Sequence, residues 1–143
     1  MSMEKMYTEL ILTHNRSGHN KHVLEGATHM ERGHNPNCGD DLTLQLTVES
    51  NTVIDAAFIG NGCAISQASM SIMIDMVKGK KLSEAKTLTQ NFLTMVRGGR
   101  ISDDEMEQLQ DAQIFENLSK MPARAKCGTL GWHCLEVILD NAN

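Results

Sequence analysis

Apolar and polar residues alternate most regularly in the stretch 42–48. Its apolar positions are Leu42, Leu44, Leu46 and Val48, with polar residues between them. A period of two predicts a strand that is buried on one face and wet on the other. The turn residues 49–51 and the apolar stretch 52–59 follow, which predicts an antiparallel hairpin. A third, short strand is predicted over residues 25–31.

Apolar residues recur at helical spacing in most of the remaining chain. This spacing predicts an amphipathic helix over the first dozen residues, a helix from about residue 64 to Val77, and helices over residues 83–118. Ser102 and Glu105 have the spacing of a capping box. Pro122 interrupts the helical pattern, and the last helix is predicted to begin at Cys127. The fold class predicted is therefore α+β, a small antiparallel three-stranded sheet with helices packed on one face.

Length and composition narrow the range of functions. A chain of 143 residues fits one domain, spanning residues 1–143. The net charge of −5 argues against nucleic-acid binding, which requires a basic face. No apolar run approaches the length of a membrane span, and the first residues lack the apolar region of a signal peptide. The expected location is the cytoplasm, where cysteines are more often ligands or catalysts than disulfide partners.

Three of the four cysteines stand beside glycines in predicted turns or at helix starts. Cys38 lies two residues before Asp40 at the entrance of the hairpin, and Cys63 lies just past its exit. Because the two ends of a hairpin lie side by side, these three residues are expected to be close together. With Cys127 they form a set of three thiols and one carboxylate, which suits a closed tetrahedral zinc site.

The sequence gives weaker support to the other candidate ligands, Cys134 and the histidines. Cys134 follows Cys127 by two helical turns, roughly 10 Å, which is too far to share a metal, so Cys134 is interpreted as a buried apolar residue. Five of the six histidines are in the stretch 14–34, at spacings that match no helix face or zinc finger. They are interpreted as solvated loop residues. A cysteine–histidine hydrolase is an alternative, but no histidine has a recognisable partner motif.

The residues around the three cysteines resemble the U-type iron–sulfur cluster assembly proteins over nearly the whole chain. The motifs are Asn35-Pro36-x-Cys38-Gly39-Asp40, Gly60-x-Gly62-Cys63-Ala64-Ile65-Ser66 and Arg124-x-Lys126-Cys127. The resemblance is to the SufU branch rather than the IscU branch. Lys126 occupies the place of the IscU histidine, and the helical insertion between Cys63 and Cys127 is longer than in IscU. The proline-rich chaperone-binding motif of IscU is also missing before Cys127.

The resemblance implies a function. It assigns zinc to Cys38, Asp40, Cys63 and Cys127, and it makes Cys38 the thiol that accepts persulfide sulfur from a pyridoxal-phosphate-dependent cysteine desulfurase. A histidine of the desulfurase would replace Cys38 on the zinc, and Arg124 would help engage this partner. The expected activity is sulfur transfer toward a downstream iron–sulfur scaffold or apo-proteins, without independent small-molecule catalysis.

Two alternatives remain open. The first is an iron-binding scaffold on which a [2Fe–2S] cluster is assembled and passed to apo-proteins. The second is an inert zinc-binding interaction module, which would have no exchangeable cysteine. Zinc in a colourless protein favours sulfur transfer, and iron in a brown protein favours the scaffold.

Overall fold

The structure, a computed structural model, describes residues 2–142 apart from the side chain of Met3. The chain begins with a helix and three strands: α1 (Met3–Ser17), β1 (His29–Asn35), β2 (Asp40–Glu49) and β3 (Thr52–Asn61). The remaining elements are helical: α2 (Ala64–Val77), α3 (Leu82–Val96), α4 (Asp103–Gln108), a 3₁₀ helix (Gln110–Lys120) and α5 (Pro122–Asn141). No helix in this part of the chain is long and apolar enough to cross a membrane.

The three strands form one antiparallel sheet in the order β1-β2-β3. The predicted α+β class and the predicted sheet are therefore confirmed. Ser50 and Asn51 take left-handed conformations at the tight β2–β3 turn, with φ values of 51° and 61°. The first strand begins at His29, four residues later than predicted. Since β1 carries little apolar alternation of its own, its limits are set by pairing with β2, up to Asn35 opposite Asp40.

The two faces of β2 differ from expectation in one respect. Leu42, Leu44 and Leu46 are fully buried against the helices, as the alternation predicts. Gln45 was expected to face water, yet it is only 2% exposed. Its side-chain oxygen accepts a hydrogen bond from Leu24 N, and its amide nitrogen donates to His22 O. The segment that precedes β1 therefore covers the second face of the strand.

The helices between Cys63 and Cys127 contribute directly to the core. Phe92 of α3 stacks on Trp132 of α5, with ring centroids 4.1 Å apart and an angle of 11° between the ring planes. Phe115 of the 3₁₀ helix meets Phe92 edge to face at 6.1 Å. These aromatic side chains are among the largest fully buried ones. The insertion is helical, as predicted, and it packs as an integral layer of the fold.

The last helix begins earlier than the sequence predicts. α5 begins at Pro122, whereas the prediction was Cys127. Proline is compatible with the first helical position because the N–H it lacks would have no helical partner there. The interruption predicted at Pro122 is present, since the 3₁₀ helix ends at Lys120, but the predicted start at Cys127 was wrong because the new helix begins at the proline itself. Cys127 therefore lies in the second turn, on the buried face of the helix.

Candidate metal centre

Two distant parts of the chain meet at the β1–β2 turn. One ligand atom each from Cys38, Asp40 and Cys127 lies within 4.8 Å of the other two. We call these three residues the cysteine group. The sulfurs of Cys38 and Cys127 are 3.2 Å apart, although 89 positions separate them in the sequence, and both are free thiols. The structure thus brings together three of the four proposed ligands.

Asp40 is the buried carboxylate of this group. It is the first residue of β2 and is 0% exposed. Its Oδ1 accepts hydrogen bonds from Cys63 N at 2.8 Å and from Ser66 Oγ at 3.0 Å. Its Oδ2 is buried without a hydrogen-bond partner in the described part of the chain. A buried carboxylate oxygen is costly to leave unpaired, so this atom fits the role of a metal ligand.

Cys63 borders the cysteine group and is held by the start of α2. It is the N-cap of that helix, and its sulfur accepts a hydrogen bond from Ser66 N at 3.4 Å. Its sulfur is not within 4.8 Å of all three members of the group. A four-ligand site therefore requires the Cys63 sulfur or another ligand atom to shift. The partial positive charge of a helix N-terminus favours the thiolate form that binds metals.

The three thiols differ strongly in exposure. Cys38 is exposed, Cys63 is half-buried, and Cys127 is 3% exposed. Burial raises the pKa of the Cys127 thiol, and hydrogen bonds with Cys38 and Cys63 raise it further. Cys127 is therefore protonated at neutral pH in the metal-free protein, and metal binding has to displace that proton.

Two glycines shape the site in different ways. Gly39, between Cys38 and Asp40, has a φ of 70°, and a Cβ at this position would have no neighbour within 4 Å. Gly39 thus serves the sharp turn. Gly62 allows a close approach, because a Cβ there would lie 2.9 Å from Asp40 Oδ1. A side chain at position 62 would crowd both the Asp40 carboxylate and the Ser66 hydroxyl that binds it.

Arg124 and Lys126 are exposed in the first turns of α5, next to the cysteine group in the sequence. The positive charge of Arg124 also influences the pKa of Tyr7 in α1. Burial raises the pKa of Tyr7, the charge of Arg124 opposes this rise, and the thiolate forms of Cys63 and Cys127 would add to it. Tyr7 is therefore close enough to the site to respond to its charges.

Sequence reasoning missed Ser66 and Tyr7. A signal existed for Ser66. It is the third helical residue after the N-cap Cys63, and an N-cap side chain normally accepts a hydrogen bond from the backbone N–H of that residue. For Tyr7 there was none, since α1 reaches the site only through tertiary packing. The description of the histidines as loop residues was also wrong in part. His14 lies half-buried in α1, and His29 and His34 lie in β1.

Comparison with known proteins agrees with the geometry. The NifU-like N-terminal domain family matches residues 6–127. The zinc-dependent sulfurtransferase SufU of Bacillus subtilis (strain 168) is 36% identical over 135 residues, covering 94% of this chain and 90% of that protein. The iron–sulfur cluster assembly scaffold protein IscU of Thermotoga maritima is 37% identical over 139 residues, covering 97% of this chain and 96% of that protein.

A solved structure extends the likeness to three dimensions. It is the crystal structure of a putative iron–sulfur cluster assembly scaffold protein for the SUF system from Fervidobacterium islandicum AW-1. It superimposes with a TM-score of 0.86 at 32% sequence identity, covering 94% of this chain and 97% of that one. The resemblance seen in the cysteine motifs is thereby confirmed. The chain belongs to the NifU-like N-terminal domain family, the U-type proteins of iron–sulfur cluster assembly.

Proposed function

We propose that this chain is a zinc-dependent sulfurtransferase that accepts persulfide sulfur from a pyridoxal-phosphate-dependent cysteine desulfurase in the cytoplasm. The observation that carries the proposal is the unequal exposure of the three thiols. Cys38 is exposed on a turn, whereas Cys127 is buried and Cys63 caps a helix. One thiol is thus open to a partner protein while the other two are held inside the site.

The donor set supports zinc. Cysteine sulfur and carboxylate oxygen are both zinc ligands, and Cys38, Asp40, Cys63 and Cys127 supply the four donors of a tetrahedral site. The unpaired Oδ2 of Asp40 gives the carboxylate a free oxygen for the metal. Bound zinc would keep its cysteine ligands deprotonated at neutral pH.

Sulfur transfer needs an accessible thiolate at Cys38. Its Sγ attacks the outer sulfur of the persulfide on the desulfurase cysteine, and a new S–S bond forms to Cys38. The S–S bond on the desulfurase breaks, and its cysteine leaves as a thiolate. The outer sulfur keeps its proton, so the exchange is balanced without an external oxidant or reductant.

The remaining residues of the site position this thiol and its partner. Asp40, through Cys63 N and Ser66 Oγ, ties the start of β2 to the start of α2, so the base of the turn is fixed. Arg124 is exposed on α5, so its positive charge is available to the desulfurase. In this proposal Arg124 contributes to docking rather than to the chemistry.

A second candidate is a scaffold that assembles a [2Fe–2S] cluster for apo-proteins. The observation that favours it is the IscU relative of Thermotoga maritima, which is as similar to this chain as the SufU relative. The same four residues would then hold iron. Metal analysis with an absorption spectrum of freshly purified protein separates the two: zinc without colour supports sulfur transfer, and iron with visible absorption supports the scaffold.

The direct test is to trap the persulfide. Wild-type protein incubated with its cognate desulfurase and free cysteine is expected to gain one sulfur on Cys38, found by mass spectrometry after alkylation, and to accelerate desulfurase turnover. Cys38→Ala should fold, but it should neither gain the sulfur nor accelerate desulfurase turnover. Cys134→Ala should behave as wild type. Full stimulation by Cys38→Ala, or sulfur found only on Cys134, would overturn the proposal.

A further inference from the structure

A second group of potential metal ligands lies outside the cysteine group. One ligand atom each from His14, His19 and Asp75 lies within 4.8 Å of the other two. Nε2 of His19 is 3.1 Å from Asp75 Oδ1, and the two imidazole centroids are 5.6 Å apart. We propose that these three residues, which we call the histidine group, bind a divalent transition-metal ion such as Zn²⁺.

Local structure explains how the sequence builds this group. His14 is in the last turn of α1, which ends at Ser17. Gly18 follows with a left-handed φ of 58°, and its N–H binds the His14 carbonyl. This turn reverses the chain, so that His19 comes back beside His14. Asp75 approaches from the last turn of α2.

Each imidazole is oriented by a serine hydroxyl. Nδ1 of His14 is 2.7 Å from Ser71 Oγ, and Nδ1 of His19 is 2.9 Å from Ser17 Oγ. When Nδ1–H donates to the serine, the lone pair of Nε2 is left for a metal. Outer hydrogen bonds of this kind are typical of histidines that bind metals, because they fix the tautomer and the ring orientation.

Asn20 provides a second, independent observation. It is 1% exposed, and its amide nitrogen donates to Asp75 Oδ1 at 3.0 Å and to Ser71 Oγ at 3.0 Å. Its oxygen is buried without a partner in the described part of the chain. A cavity of about 50 Å³ beside His14, Asn20 and Ser71 has room for a water molecule. A water molecule in this cavity would give the orphaned oxygen a hydrogen-bond partner.

The chemistry of the group fits a metal better than a simple ion pair. Two imidazoles and one carboxylate are the donors of many zinc and iron(II) sites with open positions. The pair formed by His133 and Glu136 is equally exposed, but no third ligand joins it within residues 2–142. It is therefore the natural control for the pair formed by His19 and Asp75.

The two metal positions are separate. Asp75 follows Cys63 by twelve residues along α2. At the helical rise this separation is about 18 Å, so no single ion can reach both groups. The ligand types also differ, since the histidine group contains no sulfur. The two sites can therefore be distinguished by spectroscopy as well as by mutation.

The test is a Co²⁺ titration of protein already loaded with one equivalent of Zn²⁺. Wild type is expected to bind one further equivalent with weak visible bands and without intense sulfur-to-cobalt bands. His19→Ala and Asp75→Asn should each weaken this binding at least tenfold, and both positions are half exposed, so folding is preserved. His133→Ala should bind as wild type.

Nuclear magnetic resonance of the histidine rings gives an independent measurement. Addition of Zn²⁺ to the zinc-loaded protein is expected to shift the ring signals of His14 and His19 and to leave those of His133 in place. The proposal is overturned if wild type shows no saturable second uptake, or if His19→Ala and Asp75→Asn bind within threefold of wild type. Intense sulfur-to-cobalt bands would place the second ion on the thiols and would equally overturn it.

Discussion

Cys38 and Asp40 are separated by one glycine, yet they belong to mechanically different parts of the molecule. Asp40 is fully buried, begins β2 and accepts two hydrogen bonds from the start of α2. Cys38 is exposed on the β1–β2 turn, and its N–H bonds only within that turn, to Asn35 O. A loop that carried both residues as one moving unit would have to unpair Asp40, which is costly for a buried carboxylate.

In the proposed function, this difference would allow the metal site to be both stable and reactive. Asp40, Cys63 and Cys127 are anchored to a strand and two helices, and moving any of them disturbs packed structure. We call these three residues the anchored side. Cys38 can change position through the left-handed turn at Gly39, where little else is packed. Exposed segments with few buried contacts open at low free-energy cost, so the thiol that we propose to be reactive lies on a segment that can move easily.

The largest expected effect is the difference in zinc binding and in unfolding free energy between Cys127→Ala and Cys38→Ala. Cys127→Ala removes an anchored ligand and should abolish tight zinc binding. At free zinc a thousandfold above the dissociation constant, that loss corresponds to about 4 kcal/mol of unfolding free energy. Cys38→Ala keeps the three anchored ligands and should therefore lose less zinc affinity and less unfolding free energy than Cys127→Ala. Urea unfolding of both variants with and without zinc measures the difference, and equal losses would contradict the division into two sides.

Substitutions of Gly62 and Gly39 are expected to have effects of intermediate size on stability. Gly62→Ala places a Cβ 2.5 Å from Ser66 Oγ and 2.9 Å from Asp40 Oδ1, so the hydroxyl and the carboxylate must shift. We expect a loss of about 1–3 kcal/mol in unfolding free energy, the usual cost of overpacking, together with weaker zinc binding. Zinc competition with a chromophoric chelator measures the binding.

Gly39→Ala is the matched control on the moving side. It adds a methyl group to open space, so it should cost only the left-handed backbone strain, about 1–2 kcal/mol. Its zinc affinity should stay within a few fold of wild type. If Gly39→Ala weakened zinc binding as much as Gly62→Ala, the turn would be part of the anchored side.

The effect that is smallest at neutral pH, because it appears only above about pH 9, concerns Cys134, which is buried on the same face of α5 as Cys127. Burial raises the pKa of Cys134 to about 12 from the ordinary value of 9.0. A raised folded-state pKa gives stability that is fully present below pH 9 and is lost as the pH rises through about 12. Relative to Cys134→Ala, wild type should lose at most about 1.4 kcal/mol per pH unit in this window.

Urea unfolding of wild type and Cys134→Ala at pH 8 and at pH 11 checks this prediction. Because the two proteins share their other ionisable groups, the difference between them isolates the thiol. A difference that stayed constant over this range would mean that Cys134 has an ordinary pKa and is accessible to water.

The local sequence pattern was sufficient to predict those elements whose own residues show a clear periodicity or turn motif. The alternation of Leu42, Leu44 and Leu46 predicted β2 and its buried face, and the turn that follows predicted the hairpin. Cys63 was expected at a helix N-terminus because glycines precede it and helical spacing follows it. These features depend on periodicity and turn chemistry over a few residues, which a single sequence contains.

Tertiary structure decided the features that depend on distant partners. Gln45 is buried because residues 20–28 fold over it. Cys127 lies inside a helix because α5 begins directly at Pro122, after the interruption at Met121. His14, His19 and Asp75 meet because α1 packs on α2, so their spacing in the sequence carries no sign of the contact. Pairing and packing between segments far apart in the chain leave no local periodicity, and for that reason these contacts could be seen only in the folded protein.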